Sequence, residues 1–176
     1  MTTITISGTP GSGKTTIAEK LSEKLNLEFI YSGELFRNLA KKHGMTLEEF
    51  GKYCEKNSKI DRELDDKQLE ILKEKNNIIL EGRLAGWLTY KNNISAIKIF
   101  LDADIDIRTK RVMKREDGDF EKRKQEIIKR EKSEKTRYKK YYDIDLGDIS
   151  IYDILVDTGN KKPEEIVDLI ISKINK

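Results

Sequence analysis

Apolar and polar residues alternate over Thr3-Ile-Thr-Ile-Ser7 and then give way to glycines, the pattern of a strand running into a loop. From Thr15 to Leu25 the apolar positions Ile17, Ala18, Leu21 and Leu25 recur at helical spacing, so a helix follows the loop. Leu27 to Tyr31 reads as a second strand, succeeded by a helical pattern through Leu35, Phe36 and Leu39 to Lys42 that stops at Gly44. Thr46-Leu-Glu-Glu49 has capping-box spacing and opens another helix, and Asp61 to Lys75 carries Leu64, Gln68, Leu69 and Leu72 on a further helical face. Ile78-Ile-Leu80, ending at Glu81, is the third strand and Ala96 to Leu101 the fourth. A helix over about 105–115, a turn at Asp117-Gly118-Asp119 and a long, very charged helix to about Tyr142 come next. Ile154-Leu-Val-Asp157 is a fifth strand. Pro163 suits the first turn of a last helix, whose apolar face is Ile166, Val167, Ile170, Ile171 and Ile174.

Strands alternating with helices, several of the strands being short unbroken apolar runs, predict an α/β fold: a five-stranded parallel sheet between two helical layers. The 176 residues suffice for one complete core, and with no repeat, low-complexity tract or linker in view, residues 1–176 are expected to form a single domain. Thirty-five Lys and Arg against 32 Asp and Glu leave a formal charge of +3, a mixed surface with no dedicated polycationic face, so no stable nucleic-acid partner is expected. No apolar run resembles a signal peptide or a membrane span, and the single cysteine, Cys54, has no partner for an internal disulfide; the expectation is a cytoplasmic, membrane-free protein. One histidine and one cysteine leave almost nothing for a zinc site or a Ser-His-Asp triad, so any metal should be a hard ion on oxygen ligands.

Between the first strand and the first helix lies Gly8-Thr9-Pro10-Gly11-Ser12-Gly13-Lys14-Thr15, which satisfies the phosphate-loop pattern G-x-x-x-x-G-K-[ST] in the strand-loop-helix context that gives the pattern meaning. The glycines let successive N–H groups turn inward as an anion nest, and the helix N-terminus adds its positive end. Lys14 would then reach the β- and γ-phosphates of ATP, Thr15 would offer its hydroxyl to Mg²⁺, and Thr16 would meet the α-phosphate. No Asn-Lys-x-Asp segment of the guanine-reading type and no Asp-x-x-Gly after a strand accompany the loop, which argues against a GTPase.

Three further segments carry a family resemblance. Tyr31-Ser32-Gly33-Glu34-Leu35-Phe36-Arg37 looks like the Ser-Gly-x-x-φ-Arg segment of cytidylate kinases, φ being apolar or aromatic; Ile78-Ile-Leu-Glu81-Gly82-Arg83 is similar to their strand-Asp-Gly-Arg element; and Arg130-x-x-x-Glu134-x-x-Arg137 is similar to their Arg-x-x-x-Asp-x-x-Arg segment. The chain as a whole most resembles the short archaeal type of that family, within the P-loop nucleoside monophosphate kinases, and so implies a P-loop NTPase fold with an acceptor-binding helical segment over about 32–75 and a charged helical lid over about 111–140. On that resemblance Ser32 and Arg37 hold the acceptor phosphate and Arg130, Glu134 and Arg137 grip sugar and phosphate; the last three also lie at i, i+4 and i+7, on one helical face. Arg83 can meet the acceptor phosphate, while Arg111 and Arg115, four apart, resemble the paired arginines that close over ATP. Lys14, Arg83, Arg111, Arg115 and Arg130 are thus the candidate catalytic cations. Glu81 stands where the family has Asp and can orient Mg²⁺ with Thr15, with Asp102 as the rival carboxylate.

The implied reaction is ATP- and Mg²⁺-dependent phosphoryl transfer to CMP, and to dCMP as well, by a monomer whose partners are small nucleotides. Bacterial members follow Gly-Arg with an Asp that accepts from the cytosine amine, whereas this chain has Leu84. Asp61, or Asp65 one turn later, is the expected replacement, with Arg62 a neighbour in the base pocket. Thr158-Gly159-Asn160-Lys161 could cradle adenine or be a plain turn. The competing readings are adenylate kinase, whose Asp-Gly-Phe-Pro-Arg element is not found, and a nucleotide-responsive RNA-binding module that would use the basic lid.

Overall fold

A computed structural model of the chain describes residues 2–45, 49–50, 53–54, 57–114 and 118–175. Strand β1 (Thr3–Gly8) leads into α1 (Lys14–Leu25), then β2 (Glu28–Tyr31), α2 (Ser32–Lys42) and α3 (Ser58–Glu74). They are followed by β3 (Ile78–Glu81), α4 (Ala85–Lys91), β4 (Ile97–Asp102), α5 (Ile105–Met113), α6 (Phe120–Tyr142), β5 (Ile154–Asp157) and α7 (Pro163–Ile174). The five strands form one sheet in the order β2-β3-β1-β4-β5, and every pairing is parallel. The capping-box segment at Thr46-Leu-Glu lies outside the described residues, as does Arg115.

The alternation in β1 has a physical reason although both of its faces are buried. Ile4 and Ile6 point into the main core with Ile99, Leu101, Ile154 and Val156, against Ile17 and Leu21 of α1 and Ile166, Val167 and Ile170 of α7. Full burial of such a side chain contributes about 1.5–3 kcal/mol, which makes this layer the main stabilising contact of the sheet. On the opposite face Ser7 is a linker: its hydroxyl donates to the Gly82 carbonyl at 3.0 Å and accepts from the Gly86 amide at 3.2 Å. The end of β1 is thereby tied to the residue that follows β3.

Helix α4 is absent from the sequence pattern. It is seven residues long, contains Gly86, and buries Ala85, Gly86, Trp87 and Thr89. A helix buried on more than one side shows no amphipathic period, and this one forms because tertiary packing overrides the weak propensity of Gly. Gly86 itself is needed for close approach, since a Cβ there would fall 2.4 Å from the Tyr152 ring.

Helices α5 and α6 are capped at their starts by Asp104, which accepts from the Asp106 amide, and Asp119, which accepts from the Lys122 amide. Pairs between Arg108 and Glu131 and between Lys124 and Asp106 hold α6 against α5. The far end of α6 is tied down by the Lys91 ammonium on the Tyr142 carbonyl at 2.6 Å and by the Tyr142 hydroxyl on Asp65 at 2.7 Å. Among the described residues no helix is long and apolar enough to cross a membrane.

Candidate functional site

The loop between β1 and α1 begins at Gly8, which packs so closely on β4 that a Cβ would lie 2.1 Å from the Leu101 carbonyl oxygen. It ends at Gly13, the cap of α1, whose φ of 88° belongs to the left-handed region that glycine occupies without strain. Neither position accepts a larger residue without moving backbone. The Ser12 hydroxyl donates to the Thr9 carbonyl at 2.8 Å and closes the loop on itself.

Lys14 bends back over this loop and donates to the Thr9 carbonyl at 2.9 Å. Burial pulls its ammonium down from the ordinary lysine value to about 8, with Arg83 pushing the same way and Glu81 and Glu134 opposing. A polyphosphate seated in the loop would restore the charge, so binding should take up a proton once the free protein has passed its own pKa. We therefore expect nucleotide affinity to weaken about tenfold per pH unit above roughly 8, with heats of binding that depend on the buffer's ionisation enthalpy. Titration calorimetry from pH 7 to 9.5 checks this, and an affinity flat over that range would contradict it.

One step into α1, the Thr15 hydroxyl sits 3.3 Å from Glu81 Oε2, and Glu81 is buried at the end of β3. Burial raises the Glu81 carboxyl above the usual carboxylate range, against the pull of Lys14 and the Thr15 hydroxyl. Asp102, the rival carboxylate, takes a 2.6 Å bond from the Thr9 hydroxyl instead and is exposed. Thr15 and Glu81 thus present a hydroxyl and a carboxylate side by side, a hard oxygen pair suited to Mg²⁺, which keeps several of its own waters.

Arg83 connects this loop to the far side of the cleft. Its guanidinium donates to the Gly8 carbonyl and to Glu134, whose second carboxylate oxygen takes the Arg130 guanidinium at 2.9 Å. Burial alone would push Glu134 up, but Arg83 and Arg130 together hold its carboxyl below the usual range. Two of the predicted lid residues and the predicted β3-end arginine therefore meet, and Gly8 brings the phosphate loop to the same point. Arg137 stacks over the Tyr138 ring at 5.6 Å.

The acceptor segment is more dispersed. Ser32 opens α2, with its hydroxyl facing the α-carbon of Gly82. Arg37 is exposed and lies 5.7 Å over the Tyr31 ring, and Arg62 is exposed on α3. Asp61 also belongs to α3, but its side chain lies outside what the structure describes; Asp65 is buried and bonded to Tyr142. Arg111 is turned toward the loop after β5, with the Thr158 carbonyl at 2.6 Å, the Thr158 hydroxyl at 2.9 Å and the Ser12 carbonyl at 3.4 Å. It is directed at the loop where the sequence suggested adenine.

Sequence reasoning missed Arg108. This buried side chain donates to the carbonyls of Ala103 at 2.8 Å and Pro10 at 3.1 Å and pairs with Glu131 of α6, so it binds the phosphate loop to α6. Two of its partners are backbone carbonyls, one of them 98 positions away, and carbonyls leave no trace in a residue pattern. A cavity of about 410 Å³ opens beside Gly8 and Arg83, with Phe100, Leu146, Tyr152 and Leu155 among its walls. Gly8, Thr9 and Arg83 are shared with the phosphate site, whereas Lys14 and Ser32 do not line the cavity.

Residues 3–160 match the profile of the cytidylate kinase-like family. The chain is 45% identical over 173 residues to a cytidylate kinase of Methanocaldococcus jannaschii, a match covering 98% of this chain and 97% of the relative. It is 47% identical over 168 residues to a cytidylate kinase of Methanococcus aeolicus, covering 95% and 94% of the two chains. Among solved structures, an uncharacterized protein from Eubacterium ventriosum superposes with a TM-score of 0.74 at 26% identity, over 100% of this chain and 99% of that one. A shikimate kinase from Bacteroides thetaiotaomicron superposes with a TM-score of 0.68 at 16% identity, over 99% of each chain, a likeness of fold alone.

Proposed function

The chain belongs to the cytidylate kinase-like family, and from that premise we propose that it transfers the γ-phosphoryl group of ATP to CMP, and to dCMP, releasing ADP and the pyrimidine diphosphate. The observation that carries this reading is the junction at Gly8, where Arg83 bonds both the first carbonyl of the phosphate loop and the Glu134–Arg130 pair of the lid helix. Lys14 of the phosphate loop feels the charges of Arg83, Glu134 and Arg130, which supports donor-side and acceptor-side groups acting together, as transfer between two phosphates requires.

Residues Gly8 to Thr16 hold the donor's phosphates, with Lys14 on the β- and γ-groups. Thr15 and Glu81 would hold Mg²⁺, which when bound would supply neutralising charge to the phosphate oxygens. Ser32, Arg37 and Arg83 bind the acceptor phosphate; Arg130, Glu134 and Arg137 bind its phosphate and sugar; Asp61 and Arg62 flank its base. Arg111 and Arg115 complete the charge around the donor, with Arg111 near the adenine side. An acceptor phosphate is already an anionic nucleophile, so no general base is required, and alignment with charge neutralisation supplies the rate.

The lid, centred on α6, closes over the phosphates and keeps water from the donor. In this reading the enzyme acts as a cytoplasmic monomer, free of nucleic acid and membrane; the near balance of 35 basic and 32 acidic residues speaks against a dedicated polyanion-binding face.

Incubation with ATP, Mg²⁺ and CMP should yield ADP and CDP in equal amounts, resolved by chromatography, and a chelator should stop the reaction. Undiminished CDP formation in excess chelator would remove Thr15 and Glu81 from their metal role.

A further inference from the structure

CMP and UMP differ at one edge of the ring: cytosine offers an amino donor where uracil offers a carbonyl acceptor. A protein that tells them apart needs an acceptor fixed in place and shielded from water, because an exposed one is satisfied by solvent with either base. Within residues 32–75 the structure holds one buried side-chain oxygen without a hydrogen-bond partner among the described residues, Oε1 of Gln68 on α3. The residue is only 3% exposed.

Its orientation is set by a chain of contacts. Gln68 Nε2 faces Asp65 Oδ1 and the Leu64 carbonyl, both at 3.4 Å, and the other Asp65 oxygen takes the Tyr142 hydroxyl at 2.7 Å. Turning the amide over would set its oxygen against the Asp65 carboxylate, so the donor end stays on Asp65 and the acceptor end points away. It points at Gly82: a Cβ there would fall 2.6 Å from Gln68 Oε1 and 3.2 Å from Ser32 Oγ. Gly82 stands between Glu81 and Arg83, and Ser32 opens the acceptor segment, so the unpaired oxygen lies among the residues assigned to the acceptor. Asp65, on the donor side of the amide, lines a separate cavity of about 250 Å³ with Leu84, Trp87 and Tyr142 that Gln68 itself does not line.

We propose that Gln68 is the specificity-determining residue for the base, accepting a hydrogen bond from the 4-amino group of cytosine through Oε1, with Asp65 and Tyr142 positioning its amide. The assignment rests on the cytidylate reading above. A neutral acceptor is no partner for a phosphate. Leu84 leaves the amine unread on its own side, and the amide supplies what that residue lacks.

The test is a cycle of two changes, Gln68→Met in the protein and removal of the 4-amino group in the substrate, using CMP, dCMP, UMP and 2-pyrimidinone riboside monophosphate with ATP and Mg²⁺. For the wild type, loss of the amine should lower kcat/KM about 10- to 100-fold, and Gln68→Met should lower kcat/KM for CMP by a similar factor while the amine-free substrate loses little more. Thermal unfolding of Gln68→Met checks that the fold survives, since the unpaired acceptor and the donor to the buried Asp65 are removed together; Gln68→Asn, which withdraws the oxygen by one methylene, provides a second variant. A CMP-to-UMP ratio unchanged in both variants overturns the assignment while leaving the kinase intact, and so does a loss that follows the 2′-hydroxyl, separating CMP from dCMP. A wild type that phosphorylates no pyrimidine monophosphate would instead overturn the cytidylate reading and this inference with it.

Discussion

Lys14→Met is expected to lower kcat about 10³-fold or more and to leave the fold intact. The developing charge of phosphoryl transfer is spread over the transferred group's oxygens, and loss of one preorganised charge directed at it costs factors of that order. Stability should follow the opposite logic. The ammonium is held over the Thr9 carbonyl at a pKa lowered to about 8 by burial, so the unliganded protein tolerates a desolvated charge there for the sake of the ligand. Replacing it with an apolar chain of similar length removes that strain, and the melting temperature of the unliganded variant should be equal or higher. Thermal unfolding beside single-turnover kinetics separates the two effects. A variant that lost activity because it had unfolded would show a fall in both.

Arg83→Met should damage both quantities. Glu134 is 5% exposed and divided between Arg83 and Arg130; with Arg83 gone, a buried carboxylate keeps one partner at the more exposed end of the site. Breaking a buried pair from one side costs about 3–5 kcal/mol when the remaining charge is stranded, and with Arg130 still present we expect about 2–3 kcal/mol. The pH dependence follows from the sign of the shift. In the wild type the arginines lower the Glu134 carboxyl, so its stabilising contribution is complete above the unfolded value and is lost as the pH falls through the lowered one. In Arg83→Met burial should prevail and raise that carboxyl, so the deficit should shrink on acidification from pH 7 toward 5. Adding Glu134→Gln should restore most of the stability without restoring activity, because the acceptor phosphate would still lack Arg83. Recovery of turnover in the double variant would mean that Arg83 acts only through Glu134. Denaturant unfolding and CMP-dependent turnover measured on the three proteins decide between these outcomes.

Much of the scaffold was legible because its signals are local. The phosphate loop is a run of adjacent residues, and the strands are short segments rich in apolar residues, of which β1 and β3 are buried along their whole length. Pro163 and the isoleucines after it outline α7 completely. What was illegible depends on partners distant in the chain. Helix α4 has no amphipathic period because it is buried on several sides, with Gly86 against Tyr152. Arg108 looks like one more charge in a charged stretch until it is seen on the Pro10 carbonyl, 98 positions away. The Arg130–Glu134 spacing was visible as i, i+4, but the third member of the cluster, Arg83, lies 51 positions from Glu134. The base-reading residue illustrates the same limit: Gln68 stood out only as one position on a helical face, and its unpaired oxygen exists only once α3 has packed beside Gly82.

The central claim is that this cleft moves a phosphoryl group onto a cytidine monophosphate, and the most direct test is the initial rate of ADP release with ATP and Mg²⁺ against CMP, dCMP, UMP, AMP, GMP, shikimate and no acceptor. The account predicts that CMP gives the highest kcat/KM, with dCMP used as well and the acceptor-free rate far lower. A preference for AMP or shikimate, or a rate that no acceptor raises above background, would contradict it.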